Sequence, residues 1–387
     1  MKISCQYCLI SIVSNDVDHA RIRKTMAHAF SETALREQEP LLKEHITRLI
    51  KQLSRRVGQG ERVDINEWYN LIAFDVVSDL SFGESLDAIQ GGTRHEFIEG
   101  FFSACRYQPF FVMAREYRSI GLLLKAMMSI PSFKRVQEMG YQSTKDKVLR
   151  RIALKSDTRR DFMTYILRHN DKRGMSEFEI IGSTSVLVNA GGDTTAAALA
   201  AITFYLLRDP RVMKQAQDEV RRSFTNREAI TSTTLGQITY LNAVIEEAFR
   251  IHPPTAGNFA RRTGPEGDII DGHFVPPDVS VGIHQWAATH FDTNFCDPDK
   301  FVPERWLPDA PERYKNDIKA ASQPWSIGPR NCLGRNLAYL EIRSVLAHIL
   351  WSFDMELRDE SRNWATNQRF DIVWDRPPLY VELKGMQ

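Results

Sequence analysis

The sequence has few cysteines and places them irregularly. Its 387 residues include five, and these are scattered along the chain. An odd, scattered set is not the framework of a disulfide-stapled secreted domain, so a reducing compartment is expected. Cys5 and Cys8 form a CxxC pair, but no second pair accompanies it. We therefore favour a loose terminus over a metal or redox site at these two residues.

A long apolar run and an excess of charge of one sign are also missing. No stretch reaches the roughly 18 apolar residues of a transmembrane helix, so the chain itself is expected to encode no membrane anchor. A net charge of +1 gives no indication of a nucleic-acid partner. Hydrophobic residues make up 43%, as in ordinary globular proteins. No repeat or linker divides the sequence, and we expect one domain over residues 1–387.

Apolar spacing then predicts a mostly helical chain. Helices are predicted over 18–30, 40–57, 64–80, 235–251 and 333–351. Ser176 and Glu179 form a capping box that opens a long, almost charge-free segment, and Asp209–Pro210 ends it. Residues 150–160 are basic and polar and are expected to form a surface loop. Between residues 255 and 300, Gly, Pro and Asp interrupt short β-like pieces. The predicted fold class is mainly α with a small β region (α+β).

The most informative segment reads Trp-Ser-Ile-Gly-Pro-Arg-Asn-Cys-Leu-Gly over residues 325–334. Gly328 and Pro329 predict a tight turn, and a periodic helix follows, so Cys332 is expected at a helix N-terminus. Unpaired N–H groups and the helix dipole favour a thiolate there. A thiolate is the axial ligand that an oxygen-activating haem requires. A lone cysteine is more often a small buried apolar residue, but the fixed Gly, Arg, Cys and Gly spacing is far more specific.

This segment resembles the FxxGxRxCxG haem-binding loop of the cytochromes P450. Trp325 stands where the pattern has Phe, and both are flat apolar rings that can shield a sulfur atom. The resemblance implies haem b as cofactor, with Cys332 as the axial ligand of its iron. It also implies that Arg330 meets a haem propionate.

The long apolar segment contains Ala-Gly-Gly-Asp-Thr-Thr over residues 190–195. Each glycine costs a helix interior about 1 kcal/mol, and a buried aspartate costs more unless paired. For Gly191 and Gly192 alone, a close helix–helix contact is as good an interpretation as a pocket. The whole segment resembles the (A/G)Gx(D/E)T(T/S) motif of the same family. The resemblance implies a kink on the oxygen side, with Thr194 donating a hydrogen bond there and Asp193 relaying protons.

Glu247 and Arg250 share a helix face at i,i+3 spacing, which alone indicates only a modest surface ion pair. With Pro-Glu-Arg-Trp at residues 303–306, they resemble the ExxR and PERF elements of the family. The resemblance implies a structural triad of Glu247, Arg250 and Arg305 that braces the cysteine loop.

Further cations are candidates for the haem propionates. His19 and Arg23 form HxxxR; alone they indicate a solvated basic face, but the resemblance assigns them to the propionates. Arg261 follows the proline-rich turn and is assigned the same role, with Arg262 as the alternative.

Two further groups of rings are less specific. His284 and His290 are expected to be ordinary strand or loop histidines. An aromatic-rich stretch is either core packing or a ligand-facing wall: Phe97, Phe101, Phe102, Tyr107, Phe110 and Phe111.

The motifs occur in the family's order over residues 19–334. The amino-acid sequences of segments 252–262, 284–290 and 301–309 are similar to those of fungal members that oxidise secondary metabolites, such as the trichothecene hydroxylases. The resemblance implies a monooxygenase that inserts one atom of O₂ into an apolar small molecule. Its partner would be NADPH-cytochrome P450 reductase, which passes on electrons from NADPH. Its location would be the cytosolic face of the endoplasmic reticulum membrane.

Alternatives remain at this point. The family normally has a long stretch before HxxxR, with an anchor, the first strands and a substrate-covering loop, whereas here HxxxR begins at residue 19. A shortened gene model or splice form of an active enzyme is favoured over a truncated remnant that binds haem poorly. The other alternative is a haem-thiolate isomerase or dehydratase that works without a reductase.

Overall fold

The computed structural model describes residues 15–105, 113, 117–128, 131–154, 159–171, 174–371 and 373–385. The CxxC pair of Cys5 and Cys8 lies outside these residues. Contacts divide the chain into two compact units. The larger unit contains the chain up to Ile238 and from Leu333 onward, and the smaller unit runs from Thr239 to Cys332. The single domain expected over residues 1–387 stays a prediction.

Helices account for most of the larger unit. In chain order they are α1 (Asp16–Ala27), α2 (Glu32–Gly58), α3 (Ile65–Phe82), α4 (Ala88–Gly91), α5 (Glu96–Cys105), α6 (Arg118–Met128), α7 (Pro131–Ala153), α8 (Phe162–Arg168), α9 (Glu177–Arg208), α10 (Pro210–Ser223), α11 (Ser232–Leu235) and, after the smaller unit, α14 (Arg335–Ser352). The helices predicted from apolar spacing in this unit are confirmed, with shifted ends.

Two of the shifts have clear physical reasons. Helix α2 begins at Glu32, well before Pro40, because the Ser31 hydroxyl caps it by accepting from the Ala34 N–H at 3.3 Å. Pro40 therefore lies inside the helix. The surface loop predicted from residue 150 is wrong at its start, since α7 continues to Ala153. Arg151 is buried there, and its guanidinium pairs with the Asp161 carboxylate at 2.7 Å.

A small sheet completes the larger unit. Strand β9 (Tyr380–Gly385) lies between β1 (Val63–Asp64) and β6 (Phe353–Leu357), and both pairings are antiparallel. A short hairpin of β7 (Arg369–Phe370) and β8 (Trp374–Asp375) precedes β9.

The core of the larger unit lies between α3 and α9, and nearly every residue of α3 is buried. The predicted capping box of Ser176 and Glu179 begins α9, and Pro210 begins the next helix as predicted. The Tyr69 hydroxyl lies 2.7 Å from Thr203 Oγ1 and joins α3 to α9. Burial raises the pKa of Tyr69 well above its usual range.

Helix α9 is the one helix among the described residues with the length and hydropathy to cross a membrane. Of its most apolar stretch, 72% is buried inside the protein. That burial is the pattern of a core helix, which reads as apolar on every side.

The smaller unit contains α12 (Thr239–Ile251), α13 (Gln285–His290) and short strands. Strand β2 (Arg261–Arg262) pairs with β5 (Ser280–Val281), and β3 (Asp268–Ile270) pairs with β4 (His273–Val275), both antiparallel. A 3₁₀ turn at Pro303–Trp306 packs on α12. These elements confirm the predicted change from long helices to short β-strands after residue 251.

Candidate active site

The cysteine loop (residues 325–332) folds back on itself in the smaller unit. The Cys332 N–H donates to the Trp325 carbonyl at 2.8 Å, and the Asn331 N–H donates to the Gly328 carbonyl at 3.0 Å. Gly328 has φ +79°, and a Cβ there would meet nothing within 4 Å. Glycine is thus required for the backbone conformation and not for space. The result is an exposed Cys332 side chain at the end of a tight turn.

The helix after the loop starts later than predicted. Gly334 is the N-cap residue of α14, and Arg335 is the first helical residue. Cys332 therefore precedes the helix and does not lie in its first turn. The predicted contribution of the helix dipole to thiolate formation acts on a residue before the cap, where it is weaker.

Trp325 packs on the helix that carries part of the predicted triad. Its ring meets the Phe249 ring of α12 edge-to-face, with centroids 5.0 Å apart and planes at 76°. This is a favourable aromatic geometry. The larger ring at the Phe position of the motif is accommodated, and it links the cysteine loop to α12.

Glu247, Arg250 and Arg305 form a fully buried cluster. Arg250 Nη2 and Nε donate to the two Glu247 oxygens at 2.8 Å each, and Arg305 Nε lies 3.2 Å from the same carboxylate. The Trp306 indole N–H and the Val302 N–H donate to it at 2.9 and 2.8 Å. The three predicted triad residues are thus brought together, and Trp306 joins them.

The remaining guanidinium hydrogens of this cluster bind backbone. Arg250 donates to the carbonyls of Thr289, Pro298 and Lys300 at 2.9, 2.7 and 2.9 Å. Arg305 donates to the Cys296 carbonyl at 3.0 Å and pairs with Asp317. The cluster therefore fixes the segment before Trp306 directly, and the contact between Phe249 and Trp325 links its helix to the cysteine loop. That it braces the loop stays a prediction.

The predicted propionate cations of the smaller unit differ in their surroundings. Arg261 is exposed, and its Nη2 lies 3.4 Å from Ser326 Oγ in the cysteine loop. Arg262 instead pairs with Asp278 at 3.0 Å. Arg330 is half-buried within the loop. The geometry favours Arg261 over Arg262 as a group available beside the loop.

Helix α1 of the larger unit carries His19 and Arg23, both half-buried. The neighbouring Arg21 is not part of a merely solvated face. Its guanidinium donates to Glu179 at the start of α9 at 2.5 Å and to the Gly174 carbonyl at 2.5 Å. Its hydrogen bond lowers the pKa of Glu179 to about 2. Arg21, which sequence reasoning left unassigned, ties the HxxxR helix to the N-terminus of α9.

The two adjacent glycines of α9 face α3. A Cβ on Gly192 would lie 2.7 Å from ring carbons of Phe74, and one on Gly191 would lie 2.9 Å from Val77 Cγ2. The interpretation as a close helix contact therefore holds for both glycines. Helix α9 is continuously α-helical from Glu177 to Arg208, and the predicted kink on its oxygen side stays a prediction.

Asp193 and Thr194 follow on the same helix but point to different partners. The Thr194 hydroxyl donates to the Ala190 carbonyl at 2.6 Å, one turn back. Asp193 is buried, and its Oδ1 accepts from Arg376 Nη2 at 2.7 Å. No sequence pattern indicated Arg376, which lies between the β7–β8 hairpin and β9.

A second buried acid lies near this helix. Glu341 of α14 is buried, and burial raises its pKa to about 8, while a side-chain hydrogen bond from Thr195 lowers it. Its Oε1 has no hydrogen-bond partner among the residues that the structure describes. Sequence reasoning missed Glu341, because a glutamate in an amphipathic helix is usually exposed.

Two rings of the less specific groups, those of His290 and Phe102, pack against neighbouring aromatic rings. The expectation that His290 lies in a strand or loop is wrong, because it is the last residue of α13. His290 stacks on Trp286 with centroids 4.1 Å apart, and burial lowers its pKa. The Phe102 ring meets the buried Phe74 ring with centroids 6.1 Å apart, which is core packing. Tyr107, Phe110 and Phe111, and the side chains of Phe97 and Phe101, lie outside the described residues.

Comparison with known proteins decides the family. The family model for cytochrome P450 matches residues 9–383. The chain belongs to the cytochrome P450 family. The cytochrome P450 monooxygenase astA of Talaromyces wortmannii is 42% identical over 371 residues, which are 95% of this chain and 73% of that relative.

Two further relatives are named for their reactions. The trichothecene C-4 hydroxylase of Trichoderma arundinaceum is 39% identical over 96% of this chain and 75% of its own length. The averantin hydroxylase of Dothistroma septosporum is 36% identical over 96% of this chain and 70% of its own length. These relatives come from fungi, as the resemblance of segments 252–262, 284–290 and 301–309 predicted.

Family membership confirms several predictions. The mainly α fold with a small β region, the haem iron cofactor and the monooxygenase class are those of a cytochrome P450. A cytochrome P450 monooxygenase takes electrons from a redox partner and acts on a small molecule. The roles of individual residues stay predictions.

The donor set of the smaller unit fits a haem. An exposed thiol is the soft ligand that haem iron accepts in this family, and guanidinium groups such as those of Arg261 and Arg330 match carboxylates. Residues 325–332 contain no other cysteine and no histidine, so Cys332 is the candidate iron ligand of the loop.

Proposed function

We propose that this cytochrome P450 hydroxylates an apolar small molecule of fungal secondary metabolism. Two relatives named as hydroxylases, both from fungi, support the reaction and the substrate class. The observation that carries the proposal is the exposed Cys332 thiol at the end of a loop joined to a fully buried charged cluster. Removing one member of such a cluster would leave a buried charge uncompensated, so the cluster holds its geometry.

The residue roles follow the charges and the exposure. Cys332 would ligate the haem iron as a thiolate, and the bound haem would supply dioxygen activation and the insertion of one oxygen atom. Arg261, Arg330, His19 and Arg23 would bind the propionates through charge-assisted hydrogen bonds.

The structural triad would have a different task. Glu247, Arg250 and Arg305 would keep the backbone before Trp306 in place, since their hydrogen bonds go to one another and to carbonyls. Phe249, next to Arg250 on α12, would hold Trp325 in place through the contact between their rings.

Asp193 and Thr194 would manage protons. Thr194 donates its hydroxyl hydrogen to the Ala190 carbonyl, so its lone pairs are open to accept a hydrogen bond from a neighbour. Asp193 keeps Oδ2 without a hydrogen-bond partner in the described part of the chain. Proton delivery from such groups contributes about 100-fold or more to rates of this kind.

The partner and location are proposed at the finer level as well. We expect NADPH-cytochrome P450 reductase to supply the electrons and the cytosolic face of the endoplasmic reticulum membrane to be the site of action. The typical membrane association of the family supports the second expectation.

The test compares two cysteines of the smaller unit. Cys332→Ala is expected to abolish the thiolate Soret band of the reduced, CO-treated protein and all product formation. Cys296→Ala is the matched control, because Cys296 lies near Arg313 and outside the loop, and it should keep both. A Cys332→Ala protein that retains the band, or a parent protein that lacks it, would refute the proposal.

The alternatives are tested with the parent protein. Haem content near zero would favour a remnant, and turnover without NADPH and reductase would favour an isomerase or dehydratase. We expect about one haem per chain and a strict need for both electron sources.

A further inference from the structure

Arg376 occupies a socket made by three elements of the larger unit. Its Nη2 donates to Asp193 Oδ1 at 2.7 Å and to Asn70 Oδ1 at 3.0 Å, and its Nε donates to Asn66 Oδ1 at 3.0 Å. Its Nη1 donates to the Trp374 carbonyl at 3.2 Å. The socket therefore joins α3, α9 and the segment before β9.

The two charges of the socket are almost entirely out of solvent. The side chain of Arg376 is 3% exposed and that of Asp193 is 1% exposed. A buried ion pair is costly unless its hydrogen-bonding groups are satisfied, and the two asparagine oxygens satisfy the arginine. Both asparagines lie on the buried face of α3, and Asn66 also donates to the Pro377 carbonyl at 3.5 Å.

The aspartate is satisfied on one side only. Oδ1 receives the guanidinium, whereas the buried Oδ2 has no hydrogen-bond partner in the described part of the chain. A purely structural ion pair gains most from a bidentate arrangement that uses both oxygens. Here one oxygen is fixed and the other is left open, on the helical turn that also carries Thr194.

We propose that Arg376, oriented by Asn66 and Asn70, is a positioning residue that fixes Oδ1 of Asp193 and leaves Oδ2 available for proton transfer. The inference rests on the proposed function of Asp193. A proton from solvent would bind Oδ2 and then leave toward the reaction side, which returns Asp193 to the carboxylate. Arg376 contributes no proton, since a guanidinium does not deprotonate in proteins.

The variants separate charge from shape. Arg376→Gln removes the cation, and a buried carboxylate that has lost its cation binds a proton. Arg376→Lys keeps the charge but loses the planar fork that reaches four acceptors. Arg369→Gln is the matched control, because Arg369 lies in the adjacent β7 and pairs with Asp371 while 68% exposed.

The first readout is infrared spectroscopy of holoprotein labelled with ¹³C-aspartate. Arg376→Gln should show a protonated carboxyl band at neutral pH that disappears in Asp193→Asn/Arg376→Gln. The parent, Arg376→Lys and Arg369→Gln should lack this band. Its absence from Arg376→Gln would overturn the proposal, as would a band that survives the Asp193→Asn change.

The second readout is steady-state turnover with reductase and NADPH. Arg376→Gln should lower kcat roughly 100-fold with little change in KM, and Arg376→Lys should recover part of the loss. Equal kcat for Arg376→Gln and Arg369→Gln would overturn the proposal. If Arg376→Gln does not fold, Asn70→Ala keeps both charges and should still lower kcat several-fold; an unchanged kcat would count against the socket.

The two proposals fail in different ways. The CO-bound Soret band reports Cys332 ligation and should be the same in every socket variant. Its loss in the parent protein would refute the proposed function, whereas the infrared result for Asp193 can be read without it.

Discussion

Glu247 of the smaller unit differs from Asp193 and Glu341 of the larger unit in how fully its buried carboxylate oxygens are hydrogen-bonded. In the smaller unit, Glu247 accepts five hydrogen bonds, from both arginines, Trp306 and Val302. In the larger unit, Asp193 has one oxygen partnered, and the Oε1 of Glu341 has no partner among the described residues.

The difference distinguishes a carboxylate that holds the structure together from one that can take part in a reaction. A carboxylate has about four lone-pair sites, and five donors occupy those of Glu247 completely. Its position is therefore fixed from several directions. A buried carboxyl with an open oxygen can change its protonation state, because no donor has to be displaced first. The first kind belongs to a scaffold and the second to a reactive region.

The strongest way to break this comparison is Glu247→Gln. The amide keeps the shape but leaves the buried charge of Arg250 uncompensated, whereas Arg305 keeps its pair with Asp317. We expect the free energy of unfolding to fall by about 3–5 kcal/mol. Chemical denaturation followed by circular dichroism measures the change.

The control for this variant is Glu312→Gln. Glu312 pairs with Lys315 at 2.5 Å on the surface of the same unit. Its replacement should change the free energy of unfolding by about 0.5 kcal/mol or less. Equal losses in the two variants would show that the buried cluster is not the scaffold described above.

The next test concerns Glu341, the buried glutamate of the larger unit whose Oε1 has no partner among the described residues. Burial raises its folded-state pKa from 4.5 to about 8. Below pH 4.5 the group is protonated in both states and does not affect stability. Between pH 4.5 and 8 the unfolded chain loses a proton that the folded protein keeps, so stability falls by up to about 1.4 kcal/mol per pH unit. Above pH 8 both states are ionised and the effect levels off.

Glu341→Gln removes this dependence. Relative to the parent, the variant should gain stability steadily from about pH 5 to pH 8 and then remain at a constant advantage. The measurement is the denaturation midpoint of both proteins across that range. Glu356→Gln, which removes an exposed partner of Lys384, should show no such slope. Parallel curves for Glu341→Gln and the parent would mean that Glu341 ionises normally in the folded protein.

Much of the smaller unit's site could be predicted because its signals are local. Glu247 and Arg250 are one helical turn apart, and Gly328 and Cys332 share one turn of the chain. The sequence did not reveal how deeply the cluster is buried, since an i,i+3 pair is usually a surface feature. The start of α14 was also placed too early, because the residues before Arg335 are turn and cap.

The larger unit's site could be predicted only in part. Asp193 and Thr194 stand in a motif, but the partners of Asp193 come from distant segments. Arg376 is 183 residues away from it, and Asn70 is more than 300 residues away from Arg376. Contacts at such separation depend on how helices pack, and a single sequence carries no pattern that specifies them.

The smallest expected effect concerns Glu179, a carboxylate that is only half-buried. Glu179 caps α9 and pairs with Arg21, whose hydrogen bond lowers the pKa of Glu179 from 4.5 to about 2. The stability that this pair contributes is complete above pH 4.5 and is lost as pH falls through 2. Arg21→Gln should lower the free energy of unfolding by about 1 kcal/mol at neutral pH, with a smaller loss in high salt.

Denaturation at low and high ionic strength, at neutral pH and near pH 3, measures the effect of Arg21→Gln. Arg48→Gln is the control, since it removes an exposed pair with Glu44 within α2. If His19 and Arg23 of α1 bind the haem propionates as proposed, loosening the tie of α1 to α9 should weaken haem retention in Arg21→Gln and not in Arg48→Gln. If both variants retain haem equally, α1 is held by its apolar face alone, and the pairing of Arg21 with Glu179 serves the start of α9.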